Sequence, residues 1–397
     1  MDLQMSLTAT VASMLKTAFG ANPNFSSGTV LTRDHLTKPR LQALSLLANA
    51  QATLQQPDLL DDAITSLEVR LAAAVISHAI LNPYVVDWDV DQFVDPLPTA
   101  KDMFIYFEHP NIGSLDAPAT VLNRHGRLLV WYLPGIIHGA RIQLLSELHL
   151  SIKDSLRSKS KHKPKDLSKV NKCYGHQHQP VDSPIYGHGR ISMSPATFMQ
   201  AHHVGYSLSS VKLSLRSLRR LVDNLHQSAS LKRKATRKWL QQIAHVEKFW
   251  SDITMVTLPD LARAGSEVVS AKTGSVLNED PLDWPSVYTN INVIVNQETP
   301  LHEDAGSAPT LLDLLVSLGS HDANFLVPDL GAKILYLPGT MIFLAGKILS
   351  HSVPKWGRGE RIAIVHYMKD RVHDRLQVTR PTWAVQRDIM SSVLSHN

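Results

Sequence analysis

NINVIVNQETPLHED, Asn290 to Asp304, and LSHSVPKWGRGERIAIVHYM, Leu349 to Met368, are the stretches on which the fold turns. In the first, residues Thr289 to Asn296 alternate polar and apolar side chains with period two, the pattern of a half-buried strand. Thr299-Pro300 breaks that pattern and places His302 and Asp304 just past a strand end. In extended chain, residues two apart share a face, so both side chains reach one point. In the second stretch, ILSHSV and RIAIVHYM flank the turn Lys355-Trp356-Gly357-Arg358-Gly359 and read as an antiparallel hairpin, with His351 and Arg361 inward on neighbouring strands. Glu360, beside the arginine, reads as a solvated turn residue. Between the stretches, TLLDLLVSLG, NFLVPDLG, AKILYLPGT and MIFLAG are short apolar runs punctuated by Gly319, Pro328, Gly331, Pro338-Gly339 and Gly346. Seven or eight such strands predict a double-sheet jelly roll over about residues 286–369.

The chemistry follows from four side chains. His302-Glu303-Asp304 is the only His-x-Asp in the chain, and His351 lies 49 residues beyond His302. Two imidazoles and one carboxylate are the usual facial set for a non-haem Fe(II), leaving positions open for substrate chemistry. Arg361 follows across the glycine turn. Its planar fork suits the distal carboxylate of a dicarboxylic acid better than a lysine would. The set points to an Fe(II) oxygenase consuming 2-oxoglutarate and O2. On the polar face of its strand, Asn292 is a candidate donor to the metal-proximal carboxylate of that cosubstrate, with a strand-edge amide bonded to a loop as the other reading. Asn296 shares that face and is a candidate substrate contact. Asp313, inside an apolar strand, either reads a polar substrate edge, orients a ligand histidine, or sets register. Parity puts Tyr367, with Ala363 and Val365, on the arginine's face, as a cleft residue or a packed aromatic.

From Trp284 to Arg375 the sequence resembles a fungal group of 2-oxoglutarate/Fe(II) dioxygenases related to the ten-eleven-translocation and J-binding-protein oxygenases, often associated with transposons. The resemblance rests on the His-x-Asp block after an Asn-x-x-Thr-Pro lead-in, the Asp-Leu-Leu strand and the Pro-Gly turn. It continues through the second histidine, the arginine and the Tyr-Met-x-Asp-x-Val-His tail. NRHGRLLVWYLPG, Asn123 to Gly135, is similar to a strand pair preceding the core in that group. The likeness is specific over about the last quarter of the chain and patchier over residues 100–280. It implies that His302, Asp304 and His351 ligate Fe(II) and that Arg361 holds 2-oxoglutarate. It also implies decarboxylation to succinate and CO2 coupled to hydroxylation of a C–H bond, with the 5-methyl group of 5-methylcytosine or thymine in DNA as the substrate expected. The same chemistry on a protein side chain or a small molecule, or an inactive nucleic-acid-binding relic, are the alternatives.

Other histidines carry less. Cys173, His176 and His178, with His188 nearby, imitate a zinc cluster, but a single cysteine without a second pair argues against structural zinc. His202-His203, before a helical stretch, reads as a surface or capping pair, with cleft lining as the other reading, and His373 reads as a surface residue.

Across 397 residues with one cysteine, no disulfide framework is possible and a reducing compartment is expected. MDLQMSLTATVASMLKTAFG lacks the basic start of a signal peptide, and no run approaches a membrane span. The formal charge of +5 is modest, but Lys153 to Lys172 and KRKATRK, Lys232 to Lys238, concentrate it. Each is either a solvated segment or a tracker of phosphates and a nuclear import signal, so DNA is the expected partner and the nucleus the expected place. Helical periodicity marks residues 1–82, strands about 103–133 and helices about 207–264. The expectation is an α+β protein with a jelly-roll, cupin-like core buttressed by helices. Residues 1–98 are a helical accessory segment and 99–380 the catalytic domain, with a basic linker inserted at about 152–175 and a tail from 381. Nothing in the sequence fixes the oligomeric state.

Overall fold

The computed structural model describes residues 3–20, 30–53, 63–90, 110–156, 183–198, 225–275 and 283–395. The run MFIYFEH, most of the Lys153–Lys172 segment, Cys173, His176, His178, His202 and His203 lie outside these. The architecture is mixed α+β. Helices α1 (Leu3–Phe19), α2 (Thr37–Thr53) and α3 (Ser66–Ile80) come first, and α3 opens on a full capping box between Thr65 and Glu68. Strands β1 (Pro83–Val86), β2 (Gly113–Leu115), β3 (Ala119–Asn123) and β4 (Leu128–Leu133) follow. The middle of the chain holds α4 (Gly139–His149), the strands β5 (Gly189–Met193), β6 (Thr197–Phe198) and β7 (Leu225–His226), then α5 (Lys234–Gln242), α6 (Ala244–Thr257) and α7 (Pro259–Ser275).

Eight strands then run in quick succession: β8 (Asn290–Val295), β9 (Thr299–His302), β10 (Asp313–Gly319), β11 (Asn324–Val327), β12 (Ala332–Leu335), β13 (Met341–Leu344), β14 (His351–Val353) and β15 (Arg361–Tyr367). They divide between two sheets, in the orders β13-β10-β15-β8 and β12-β11-β14-β9. The first is widened to β1-β3-β4-β13-β10-β15-β8-β5 and the second gains β2. Helices α8 (Asp370–Leu376) and α9 (Gln386–Ser395) close the chain.

Alternation explains how the larger sheet faces two ways. On β8, Ile291, Val293 and Val295 are fully buried, and on β15 their paired neighbours Ile362, Ile364 and His366 are buried with them. This face meets α6, where His366 contacts Glu247 and Trp250. Burial of each such aliphatic side chain stabilises the fold by about 1.5–3 kcal/mol. The opposite face carries Asn292, Arg361, Ala363, Val365 and Tyr367, with Asp313 and Ser317 contributed by β10. It looks towards the smaller sheet, and the site forms there.

Three expectations need correction. His351 and Arg361 do not sit on one hairpin: β14 belongs to the smaller sheet and β15 to the larger. The chain between them arches from one sheet to the other, pinned where Asp322 Oδ1 accepts the N–H groups of Gly357 (2.8 Å) and Arg358 (2.9 Å). Short strands around a glycine turn look alike whether they pair or cross. Second, Thr299-Pro300 does not end the ordered strand region but opens β9, an edge strand that tolerates proline. Third, residues 83–86, read within a helical segment, form β1 and pair in parallel with β3. The N-terminal helices pack on the rest of the molecule, α3 against β3 and β4 and α1 against α6. Among the described residues, no helix is long and apolar enough to cross a membrane.

Candidate metal and dicarboxylate site

His302 ends β9 and His351 begins β14, and the two residues are direct cross-strand partners. Their rings lie 4.2 Å apart between centroids. Each ring is aimed by the main chain two residues before it: Nδ1 of His302 donates to the carbonyl of Pro300 (2.8 Å), and Nδ1 of His351 to that of Leu349 (2.9 Å). Donation from Nδ1 leaves the lone pair on Nε2, the atom a metal would take. Asp304 completes the group, with Oδ1 3.7 Å from His302 Nε2 and Oδ2 3.6 Å from His351 Nε2. Those separations exceed hydrogen-bond length and suit three groups arranged around a shared ion. All three ligand atoms fall within 4.8 Å of one another. Burial holds His351 down at about 4, with neighbouring Asp304 opposing, so the imidazole is neutral. Phe325 of β11 stacks on that ring at 5.5 Å.

Asp304 is held from two sides. Its N–H donates to the carbonyl of Gly346 (2.8 Å), and its carboxylate meets that of Asp313. Burial, followed by the charge of Asp304, keeps the Asp313 carboxyl well above the usual carboxylate range. Gly346 makes room for both. A Cβ there would collide with Asp304 Oδ2 and lie 2.9 Å from Asp313 Oδ2.

Arg361 stands on the opposite wall, 2% exposed. Nη1 donates to the carbonyl of Gln297 (2.8 Å), the guanidinium lies 5.6 Å from the ring centroid of Tyr336, and Nε has no partner. Among the described residues no carboxylate pairs with it. A buried, uncompensated guanidinium is costly, and an organic carboxylate supplies the missing charge and acceptors. The donor set and this orphaned cation therefore fit Fe(II) and a dicarboxylate together.

The remaining candidates separate. Tyr367 faces the cleft and is hydrogen bonded to Asn292, and burial pushes its hydroxyl up to about 12. Asn292 keeps a buried Oδ1 without a partner. Asn296 is not brought to the cleft. It adopts φ 50°, and its amide donates to Gly187 O (2.8 Å) and Glu360 Oε2 (2.9 Å) while accepting the N–H of Arg361 (2.9 Å). Glu360, expected in solvent, is 5% exposed and accepts the N–H groups of Ile185 (2.8 Å) and Tyr186 (3.0 Å). It ties the segment before β5 to the base of Arg361, a long-range contact that local sequence does not announce. His373 is buried inside α8 rather than on the surface. Half-buried, His188 lies just before β5. Sequence reading missed Tyr336 and Gly346. Both sit at strand margins where their residue types signal only a turn and a core aromatic.

No family model matches the chain, and no curated protein sequence matches it. Among solved structures 37 chains match. NgTET1 in complex with 5mC DNA shares 13% identity at a TM-score of 0.45, covering 89% of this chain and 98% of that one. The viral collagen prolyl hydroxylase of Paramecium Bursaria Chlorella virus-1 shares 18% identity at 0.18, covering 26% and 64%. An oxidoreductase of the 2OG-Fe(II) oxygenase family from Burkholderia pseudomallei shares 11% identity at 0.25, covering 56% and 88%.

Proposed function

We propose that the protein is a 2-oxoglutarate- and Fe(II)-dependent dioxygenase built on a double-sheet jelly roll. The strand alternation between β8 and β15 supports that fold. One observation carries the activity: two imidazole Nε2 atoms and a carboxylate converge on one point, facing a buried arginine that has no carboxylate of its own. His302, Asp304 and His351 would hold Fe(II), and Arg361 would hold the distal carboxylate of 2-oxoglutarate. Bound there, Fe(II) and O2 supply decarboxylation of 2-oxoglutarate to succinate and CO2 together with hydroxylation of a substrate C–H bond.

The chain's own part is placement. Gln297 and Tyr336 steady the guanidinium so that its free edge meets the incoming carboxylate. Asn292 presents its unpartnered amide oxygen and Tyr367 its hydroxyl on the same wall, as contacts for cosubstrate or substrate. The ring of Phe325, stacked on His351, covers one side of the metal group.

For the substrate we infer the 5-methyl group of 5-methylcytosine or thymine in DNA. The exposed Lys232, Lys234 and Lys238, around the start of α5, support contact with a phosphate backbone. A stacked methyl cannot reach the floor of a cleft between sheets, so a duplex base must be turned out of the helix.

Anaerobic loading with Fe(II), then O2, 2-oxoglutarate and a 5-methylcytosine duplex, tests both parts by mass spectrometry of succinate and bases. Oxidised cytosine requiring iron and cosubstrate is the expected result. Succinate without base oxidation would keep the enzyme class and reject the DNA substrate. Iron-loaded protein yielding neither would reject the class.

A further inference from the structure

Asp313 lies on the third strand of the eight-strand run, β10, and its register pairs it with Leu344 of β13, two residues before Gly346. Its side chain points out of a strand, DLLVSLG, that is apolar apart from Ser317, and is 3% exposed. A buried carboxyl group in such a strand is disfavoured unless a partner justifies it. The partner here is Asp304: the two carboxyl groups share the space over Gly346, where a Cβ would collide with Asp304 Oδ2 and lie 2.9 Å from Asp313 Oδ2. Gly346 supplies the third part: its carbonyl receives the Asp304 N–H at 2.8 Å, and its missing Cβ leaves the volume in which the two carboxyl groups meet.

His302 and His351 are oriented by backbone carbonyls two residues back along the chain. Asp304 has no such support for its carboxylate, since it follows the end of β9 in a turn. With its side chain about one-third exposed, it is the least enclosed member of the group. A carboxylate on a turn samples rotamers that point both oxygens away from the histidines.

We propose that Asp313 is a positioning residue that fixes the Asp304 carboxylate towards the two histidines, with Gly346 as the space that permits it. This rests on the metal reading of the same site, and it says which part of that site is assembled by a residue that touches no metal. The same geometry accounts for an acid in a core strand and for a glycine at the end of β13, which otherwise have no common cause. Polar partners of metal ligands set affinity in just this way, and their removal typically weakens binding roughly ten- to hundredfold.

The test is titration of the full chain with Mn(II) and Co(II), without turnover, for wild type, Asp313→Asn, Asp313→Leu and Gly346→Ala. Asp313→Asn keeps a polar side chain of the same size facing Asp304 and is expected to bind Mn(II) within a few-fold of wild type. Asp313→Leu is expected to bind roughly tenfold or more weakly. Its Co(II) absorption bands should shift, because the carboxylate no longer approaches in one geometry. Thermal unfolding of the metal-free chain separates this from general damage. Leucine in place of a buried acid should leave the midpoint unchanged or raise it. Gly346→Ala should follow Asp313→Leu in affinity. Wild-type affinity and spectrum in Asp313→Leu would overturn the proposal alone, and so would loss of binding in Asp313→Asn equal to that in Asp313→Leu. A wild-type chain that takes up neither metal would overturn it together with the metal reading.

Discussion

Two groupings of histidine and carboxylate lie on opposite faces of the larger sheet, and they are built differently. Behind the sheet, His366 Nε2 lies 3.0 Å from both oxygens of Glu247, sealed by Trp250 and Tyr288 with neither side chain exposed beyond 1%. In front, His302 and His351 stand 3.6–3.7 Å from Asp304, whose side chain is 32% exposed. The first pair is closed through Nε2 and clamps α6 to β15, with His366 Nδ1 left without a partner. The second leaves its lone pairs aimed at a common point and keeps one side open. Residue types alone would rate the two alike. What separates a clamp from a candidate metal centre is the gap between the groups and the access to it.

The largest expected effect breaks the front grouping. His351→Ala should lower metal affinity by roughly a hundredfold or more, read by metal content and titration, while far-ultraviolet dichroism stays that of wild type. Undiminished metal-dependent turnover in this variant would remove His351 from the ligand set. Next, Arg361→Ala should raise the KM for 2-oxoglutarate roughly a hundredfold with metal affinity nearly unchanged, because it removes the charged partner of a buried carboxylate. Equal losses in metal and cosubstrate binding would mean that Arg361 supports the fold instead. On the back face, Glu247→Leu should cost about 3 kcal/mol in denaturant unfolding and leave metal affinity within twofold. A fall in metal affinity there would show that the two faces are coupled.

The smallest effect concerns protons. His149, near the segment that Glu360 ties down, donates through Nε2 to the carbonyl of Tyr186 (3.2 Å), and burial holds it at about 4. Its folded pKa therefore lies below the unfolded value near 6.5. The unfolded chain takes up the proton first as pH falls, so stability is complete above 6.5 and declines towards 4. The slope should be about 1.4 kcal/mol per pH unit for this one group. His149→Gln should flatten the difference between unfolding at pH 7 and at pH 5, and an unchanged slope would reject the assignment.

Much of the larger architecture was legible because β8 shows one apolar face in period two and β15 is a run of aliphatic and aromatic residues beyond a glycine turn. His302, Asp304, His351 and Arg361 were legible as residue types at strand ends, and the first three lie within 4.8 Å of one another by their ligand atoms. The path between them was not. His351 and Arg361 reach the cleft from opposite sheets because Asp322 pins the arch at Gly357 and Arg358, and that contact spans 35 residues. Glu360 looked like a turn residue because its partners, Ile185 and Tyr186, lie 175 and 174 residues away. Asn296 shared a parity with Asn292, but its positive φ breaks the alternation at the strand's last step. Local pattern reports which face a residue takes on a regular strand. It does not report where a strand stops or what crosses to meet it.

The two ring orientations have a consequence for how much mutation the site tolerates. Both imidazoles are aimed by carbonyl oxygens, at Pro300 and Leu349, and every amino acid carries that oxygen. No side chain at position 300 or 349 has to be kept for the rings to point correctly, provided that the strands pair as they do. The instructions for aiming the histidines are thus held by the main chain, where substitution cannot easily erase them. Asp304, aimed by a side chain, is the one member of the group whose orientation a single distant codon can spoil.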